Sequence, residues 1–109
     1  MSGEEVWDFL AGQSAATVCG RSAERLTGRR ARIIAVDGDA RRLELELVPD
    51  VRTFDLAAHP QLCVCVDVYP SAADLKAVIA HGPGVYVGDA RISFTAERVV
   101  SFDFSKASA

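Results

Sequence analysis

Two arginines of this chain, Arg32 and Arg52, are its first candidates for holding an anionic ligand. A guanidinium presents a rigid, planar fork of donors that pairs bidentately with phosphate or carboxylate. Arg32 opens a β-branched apolar run and Arg52 stands at the entry of a following segment, so a strand and a helix start could converge on one ligand. The plainer alternative is a pair of surface arginines neutralised by Glu44, Glu46 and Asp50. Arg32 also belongs to a basic quarter of the chain. Between Arg21 and Arg42 lie seven arginines against Glu24, Asp37 and Asp39, so that stretch carries +4 and the remainder −7. Such a quarter suits an anionic ligand, an RNA contact or, most simply, a solvated strand pair.

Cys63 and Cys65 stand two apart, which on a strand aims both thiols at one face. With His59 and His81 they match the ligand count of a two-cysteine, two-histidine zinc site. Zinc frameworks usually carry their cysteines in C-x-x-C knuckles on turns, however, and this pair lies in a valine-rich strand where a free thiol packs as a small hydrophobe. No metal site is expected. His59, before Pro60, reads as a helix-end residue near carbonyl groups. His81 adjoins Gly82-Pro83-Gly84, a loop suited to lining a ligand cleft. The spacing Gly82-x-Gly84-x-x-x-Gly88 is no dinucleotide fingerprint, because it precedes a strand and a phosphate loop must open a helix. Trp7, Tyr69 and Tyr86 offer stacking surfaces, with core or dimer packing as the simpler alternative. Glu44 and Glu46 read as a solvated strand face, and no Ser-His-Asp constellation can be assembled.

Composition narrows the classes these residues can serve. A chain of 109 residues, 50% hydrophobic and 25% charged, suits one domain over 1–109 with a core of its own, fraying at 1–3 and 106–109. No apolar run approaches the roughly 18–20 residues of a membrane span. The start, Met1-Ser2-Gly3-Glu4-Glu5, is acidic where a secretory signal is basic. Three cysteines make a poor disulfide framework, so a reduced cytoplasm is expected. A net charge of −3 argues against a dedicated DNA binder.

The positioning elements follow from periodicity. Glu4 to Ala11 reads as an amphipathic helix stopped by Gly12, and Ser14 to Cys19 as a buried strand. Arg21 to Gly28 shows no period and reads as a connector. Arg32 to Val36 and Leu43 to Val48 form a hairpin around Asp37-Gly38-Asp39, with Leu43, Leu45 and Leu47 inward. Pro49 ends it. Asp50 to Ala58 fits a short helix with Asp50 as N-cap. Gln61 to Tyr69 is a central strand covered on both faces. Ser71 and Asp74 resemble a capping box for a helix carrying Leu75, Val78 and Ile79 to a C-cap at Gly82. Gly84 to Phe94 reads as a long strand with a bulge or a close backbone approach at Gly88, Thr95-Ala96-Glu97 as a turn, and Val100 to Phe104 as the last strand. Six sequence-adjacent strands and three short helices favour a mainly β, antiparallel barrel plugged by helices.

This order resembles the flavin-binding split barrel of the pyridoxamine 5′-phosphate oxidases and their deazaflavin-using relatives, over roughly Val6 to Lys106. Leu56-Ala57-Ala58-His59-Pro60-Gln61-Leu62-Cys63-Val64 is similar to the family's junction of leucine, spacer, Asn/His-Pro and strand. Gly84-Val85-Tyr86-Val87-Gly88-Asp89-Ala90-Arg91-Ile92 is similar to its later strand. The resemblance implies a six-stranded antiparallel split barrel, a homodimer with the cofactor between subunits, and an oxidoreductase using flavin mononucleotide (FMN) or deazaflavin (F420). It places Arg32 and Arg52 on two phosphate-binding positions, with Gly84 and Gly88 admitting the ring closely. Asp37, Glu46 and Val51 depart from the family's Lys, Thr and Arg. Two carboxylates beside a phosphate repel it by on the order of 1–4 kcal/mol each. A different binding mode, or a cofactor-free barrel acting as a small-ligand or structural dimer, would accommodate them. An RNA-contacting barrel lacks the surface aromatics on which bases stack near its arginines.

Overall fold

A computed structural model describes residues 2–22, 25–68 and 75–103 of the chain. It is mainly β: one helix, α1 (Gly3–Ala11), precedes seven strands. These are β1 (Ala15–Ser22), β2 (Arg25–Asp37), β3 (Arg42–Leu47), β4 (Gln61–Val68), β5 (Lys76–Tyr86), β6 (Arg91–Thr95) and β7 (Arg98–Asp103). Six of them close an antiparallel barrel in the order β4-β1-β2-β3-β6-β5, shut by β4–β5 pairing, with β7 alongside β5.

Alternation builds the barrel. Ala16 and Val18, then Leu43, Leu45 and Leu47, then Leu62, Val64 and Val66, point inward and are buried. Ile92 and Phe94 on β6 complete the centre. Full burial of such side chains is worth roughly 1.5–3 kcal/mol each, enough to fix the register of every strand that carries them. The helix is capped at Ser2, whose side-chain oxygen accepts from Glu5 N at 3.3 Å, and it buries Val6 and Leu10, one turn apart.

Two expected helices are replaced by other structure. Lys76 to Gly82 belongs to β5, with Lys76 to His81 between β4 on one side and β7 on the other. Val78 and Ala80 fill the interior and Ile79 packs outward, so two ladders and a buried face outweigh helical spacing that differs by a few tenths of a kcal/mol per residue. Ser71 to Asp74, the expected capping box, lies outside the described residues, as do Tyr69 and Phe104. Between Pro49 and Pro60 the chain forms a turn at Leu56–Ala58 and no helix. Phe54 and Leu56 are both buried two residues apart, a spacing no helix face offers.

The described residues of the expected connector, Arg21 to Gly28, are strand as well: β1 and β2 pair from Ala15↔Arg32 out to Ser22↔Arg25. The inward positions there are Gly20, Thr27 and Arg29, so no apolar alternation advertises the strand. The long strand expected from Gly84 to Phe94 breaks into β5 and β6 around an exposed turn, with Gly88 in that turn and no bulge there. The irregularity falls instead between β6 and β7. Gly84 pairs with Phe94 but His81 with Arg98, a one-residue shift accommodated at Ala96–Glu97.

Candidate functional site

The expected anion ligands stand in different places. Arg32 points outward from β2 beside Arg30, two residues back on the same face. Across β1 from them lie Ala15 and Thr17, paired with Arg32 and Arg30 respectively. The small side chain of Ala15 leaves a groove of about 360 Å³ lined also by Thr17, Val48 and Asp67. That volume sits at the low end of the roughly 300–1,000 Å³ of small-molecule sites. Arg52 does not line it. It belongs to the segment after Pro49, where its backbone N and guanidinium both bond Asp50 in a side-chain turn, and the helix entry expected there is absent.

Electrostatics sharpen the difference. Arg52 Nη2 lies 3.0 Å from Asp50 Oδ2. That hydrogen bond, joined by the Arg52 backbone N–H, holds the Asp50 carboxyl down to about 2, and the carboxylate in turn raises Arg52. Arg32 Nη2 lies 3.0 Å from Glu46 Oε1, and Arg91 Nε reaches the same carboxylate at 3.8 Å. Glu46, the residue whose charge conflicts with a phosphate, is thus shared by two guanidinium groups on neighbouring strands. A phosphate drawing Arg32 away would leave Glu46 still beside Arg91.

Arg29, unremarked as a site residue in the sequence, is the described chain's one buried charged side chain. It points inward at the barrel end, donating from Nη1 to Arg52 O at 2.6 Å and from Nη2 to Val48 O. Its Nε and the hydroxyl of Thr27, two residues back on the same inward face, are buried without a hydrogen-bond partner among the described residues. Alternation carried back from Ala31 would have placed both inside. Tyr86 secures the same segment: its hydroxyl accepts from Phe54 N at 2.9 Å and donates to Phe54 O at 3.1 Å.

The remaining candidates are placed as follows. Gly84 faces the interior, where an added Cβ would stand 2.4 Å from Leu62 Cδ1, so its role in the fold is close packing. Gly88 is exposed, and neither glycine lines the groove. His81 lies in β5 and not in a loop; it is exposed, opposite Cys63 and Arg98. His59 is exposed after a turn in which its N–H donates to Asp55 O, so it ends no helix. Cys63 and Cys65 share the outer face as expected, and the register adds Cys19 directly opposite Cys63. Burial pushes both the Cys63 and Cys65 thiols up. Among the described residues no three of His, Cys, Asp and Glu gather closely enough for a metal ion.

A second, larger cavity of about 900 Å³ lies between α1, the β2–β3 turn and β7, lined by Glu4, Trp7, Asp8, Asp39, Arg41 and Val99 among others. Trp7 packs one side of its ring system against Gly38. Among the described residues no helix is long and apolar enough to cross a membrane.

No protein-family model matches the sequence, and no curated protein matches it as a relative. Solved structures do share the fold. A conserved hypothetical protein of Mycobacterium tuberculosis, Rv2991, superposes with a TM-score of 0.79 at 16% identity, over 100% of this chain and 89% of that one. The FAD binding protein from Mycobacterium smegmatis superposes with a TM-score of 0.72 at 13% identity, over 95% of each chain.

Proposed function

We propose that this chain is a flavin- or deazaflavin-binding oxidoreductase of the pyridoxamine-phosphate-oxidase-like group, working as a homodimer, with the cofactor's phosphate end in the groove between β1 and β2. The observation that carries this is the pair Arg30 and Arg32, two outward guanidiniums on alternate positions of one strand over an alanine floor. A shared fold with a protein described as FAD-binding supports it. Both arginines fit the phosphate, and the Thr17 hydroxyl beside them adds a neutral donor. Asp67 at the rim works against an anion, and Arg91 beside Glu46 offsets the other nearby carboxylate.

The bound ring system would supply hydride and electron transfer. The chain would bind and orient it. A groove of 360 Å³ takes the phosphate end of such a cofactor and leaves the rest for a second subunit to enclose. Val85, Val87 and Val100, each 46–61% exposed, provide apolar surface on the β5–β7 side for that subunit to cover. Arg52, His81, Gly84 and Gly88 have no place in this groove as the fold presents it.

Titration of the purified protein with FMN, FAD and deazaflavin, read by ring fluorescence and absorbance between about 370 and 450 nm, tests the proposal. Arg30→Ala with Arg32→Ala should weaken binding by about 100-fold, since each charge-assisted bond lost is worth roughly 1.5–3 kcal/mol. Unchanged affinity would remove both arginines from the site. The 900 Å³ cavity favours one other function, a cofactor-free barrel that binds a small ligand against Trp7. A protein indifferent to all three cofactors, whose tryptophan fluorescence responds to a small-molecule panel, would select that function instead.

A further inference from the structure

We propose that Cys19 and Cys63 form a thiol–disulfide exchange site on the outer face of the barrel, oxidised by small-molecule disulfides such as oxidised glutathione. The site is independent of whatever occupies the groove. The two cysteines lie 44 positions apart in sequence yet are direct cross-strand partners on β1 and β4. Both are half-buried. Val18 and Val64, their neighbours in the register, point inward and are fully buried, which puts both thiols on the opposite, outer face.

Backbone alternation fixes the kind of pair they make. Ile33 N donates to Ser14 O, so along β1 every second pairing with β2 is hydrogen-bonded and Cys19↔Gly28 is not. The N–H and C=O of Cys19 therefore turn toward β4. Gly84 N donates to Pro60 O, and the same alternation along β4 leaves Cys63↔His81 unbonded and turns the Cys63 backbone toward β1. Both routes make Cys19 and Cys63 a hydrogen-bonded pair, with Cα atoms about 5.5 Å apart. A disulfide needs Cα atoms roughly 4.4–6.8 Å apart, which this pair meets, and Cβ atoms about 3.5–4.5 Å apart. A hydrogen-bonded pair at about 5.5 Å reaches the second distance only by drawing the two strands together locally, so the bond is strained and readily reduced. Cys65 meets Thr17 across the seam, and its diagonal to Cys19 is about 7–8 Å, beyond that reach without backbone movement.

The chemistry balances without another reagent. The thiolate of one cysteine attacks a sulfur of the small disulfide, forming a mixed disulfide and expelling one small thiolate. The second cysteine, as thiolate, then displaces the other small thiol and closes the Cys19–Cys63 bond. The protein loses two electrons and two protons, and the small disulfide gains them as two thiols. The β1–β4 seam is only three residue pairs long, against eight for β1–β2, and the new bond staples its end. At the other end of the seam Thr17 lines the groove, so oxidation would stiffen one groove wall.

The full chain is incubated with oxidised glutathione, its free thiols are counted under denaturing conditions, and peptides are mapped by mass spectrometry. The titratable thiols should fall from three to one, with a Cys19–Cys63 cross-link that a dithiol reductant reverses. Cys65→Ser should still cross-link, whereas Cys19→Ser should stop at a mixed glutathione disulfide on Cys63. Circular dichroism confirms that each variant is folded. Three thiols persisting, mixed disulfides that never resolve, or a cross-link containing Cys65 would each overturn the assignment.

Discussion

Single residues in this fold carry opposite kinds of constraint. An added Cβ at Gly82 would stand 1.9 Å from Thr95 O and 3.0 Å from Glu97 N, both backbone atoms of the β6–β7 junction. Gly82→Ala must therefore move a strand, and we expect a loss of about 3 kcal/mol, at the upper end of overpacking, in chemical denaturation. Arg41 shows the reverse. Its φ of 55° is the one positive value at a non-glycine among the described residues, pinned by Arg41 N to Gly38 O and by Ala96 N to Arg41 O. Arg41→Gly should stabilise by roughly 0.5–1 kcal/mol, because the left-handed penalty exceeds the entropy that glycine adds to the unfolded chain. Asp50 titrates at about 2 in the fold against 3.8 as its ordinary value. A depressed carboxylate contributes stability above its unfolded value and loses it as pH falls through the folded one. The contribution of the Asp50–Arg52 pair should accordingly vanish between about pH 4 and pH 2. Carboxyl chemical shifts followed through that range should report the low value, and Arg52→Ala should return Asp50 to the ordinary one.

At the scale of elements, the segment from Val48 to Pro60 behaves as a plug, seated in the core by Phe54 and Leu56 and tied down by polar contacts. Arg29 holds two of its carbonyls, Tyr86 brackets Phe54, and Asp55 N donates to Arg21 O at 2.7 Å. Tyr86→Phe leaves the N–H and C=O of Phe54 without that partner in a part-buried place, so it should cost about 1–3 kcal/mol. Hydrogen exchange should then quicken in residues 50–58 before it does in β3 or β6. These ties also explain what the sequence hid. The hairpin of β2 and β3 is readable because its inward positions are leucines, and α1 because Val6 and Leu10 share a face between Ser2 and Gly12. The plug and the far ends of β1 and β2 are not, because their inward positions are Gly20, Thr27 and Arg29 and their partners are distant backbone groups. β5 misled for a different reason: Leu75, Val78 and Ile79 fit a helical stripe, and only pairing with β4 and β7 at once decides for strand. The candidate site was half legible. Arg32 lies on the groove, but its companion is Arg30, recognisable only once β2 is known to extend back past it.

The closed molecule makes the groove a structural joint as well as the proposed binding place. Six strands close the ring, yet β1 and β4 meet over three residue pairs while β1–β2 and β4–β5 each run for eight. The groove spans that joint, taking Thr17 from β1, Asp67 from β4 and Arg30 and Arg32 from β2. A ligand gripped there ties three strands together at one of the two shortest seams of the described ring and adds its binding energy to the folded state alone. At a free concentration 100 times Kd this stabilises by about 2.7 kcal/mol, which for a domain near 100 residues raises Tm by roughly 10 °C or more. FMN and deazaflavin should therefore shift thermal unfolding in proportion to the logarithm of their concentration, and the Arg30→Ala, Arg32→Ala variant should lose the shift. Inorganic phosphate, which meets the arginines but no ring-binding surface, should give only a small shift that 0.5–1 M salt abolishes, since exposed charges are screened within a few ångströms there. A flavin shift that survives the loss of both arginines would place the ligand elsewhere, and the cavity of about 900 Å³ beside Trp7 is the first place to look for it.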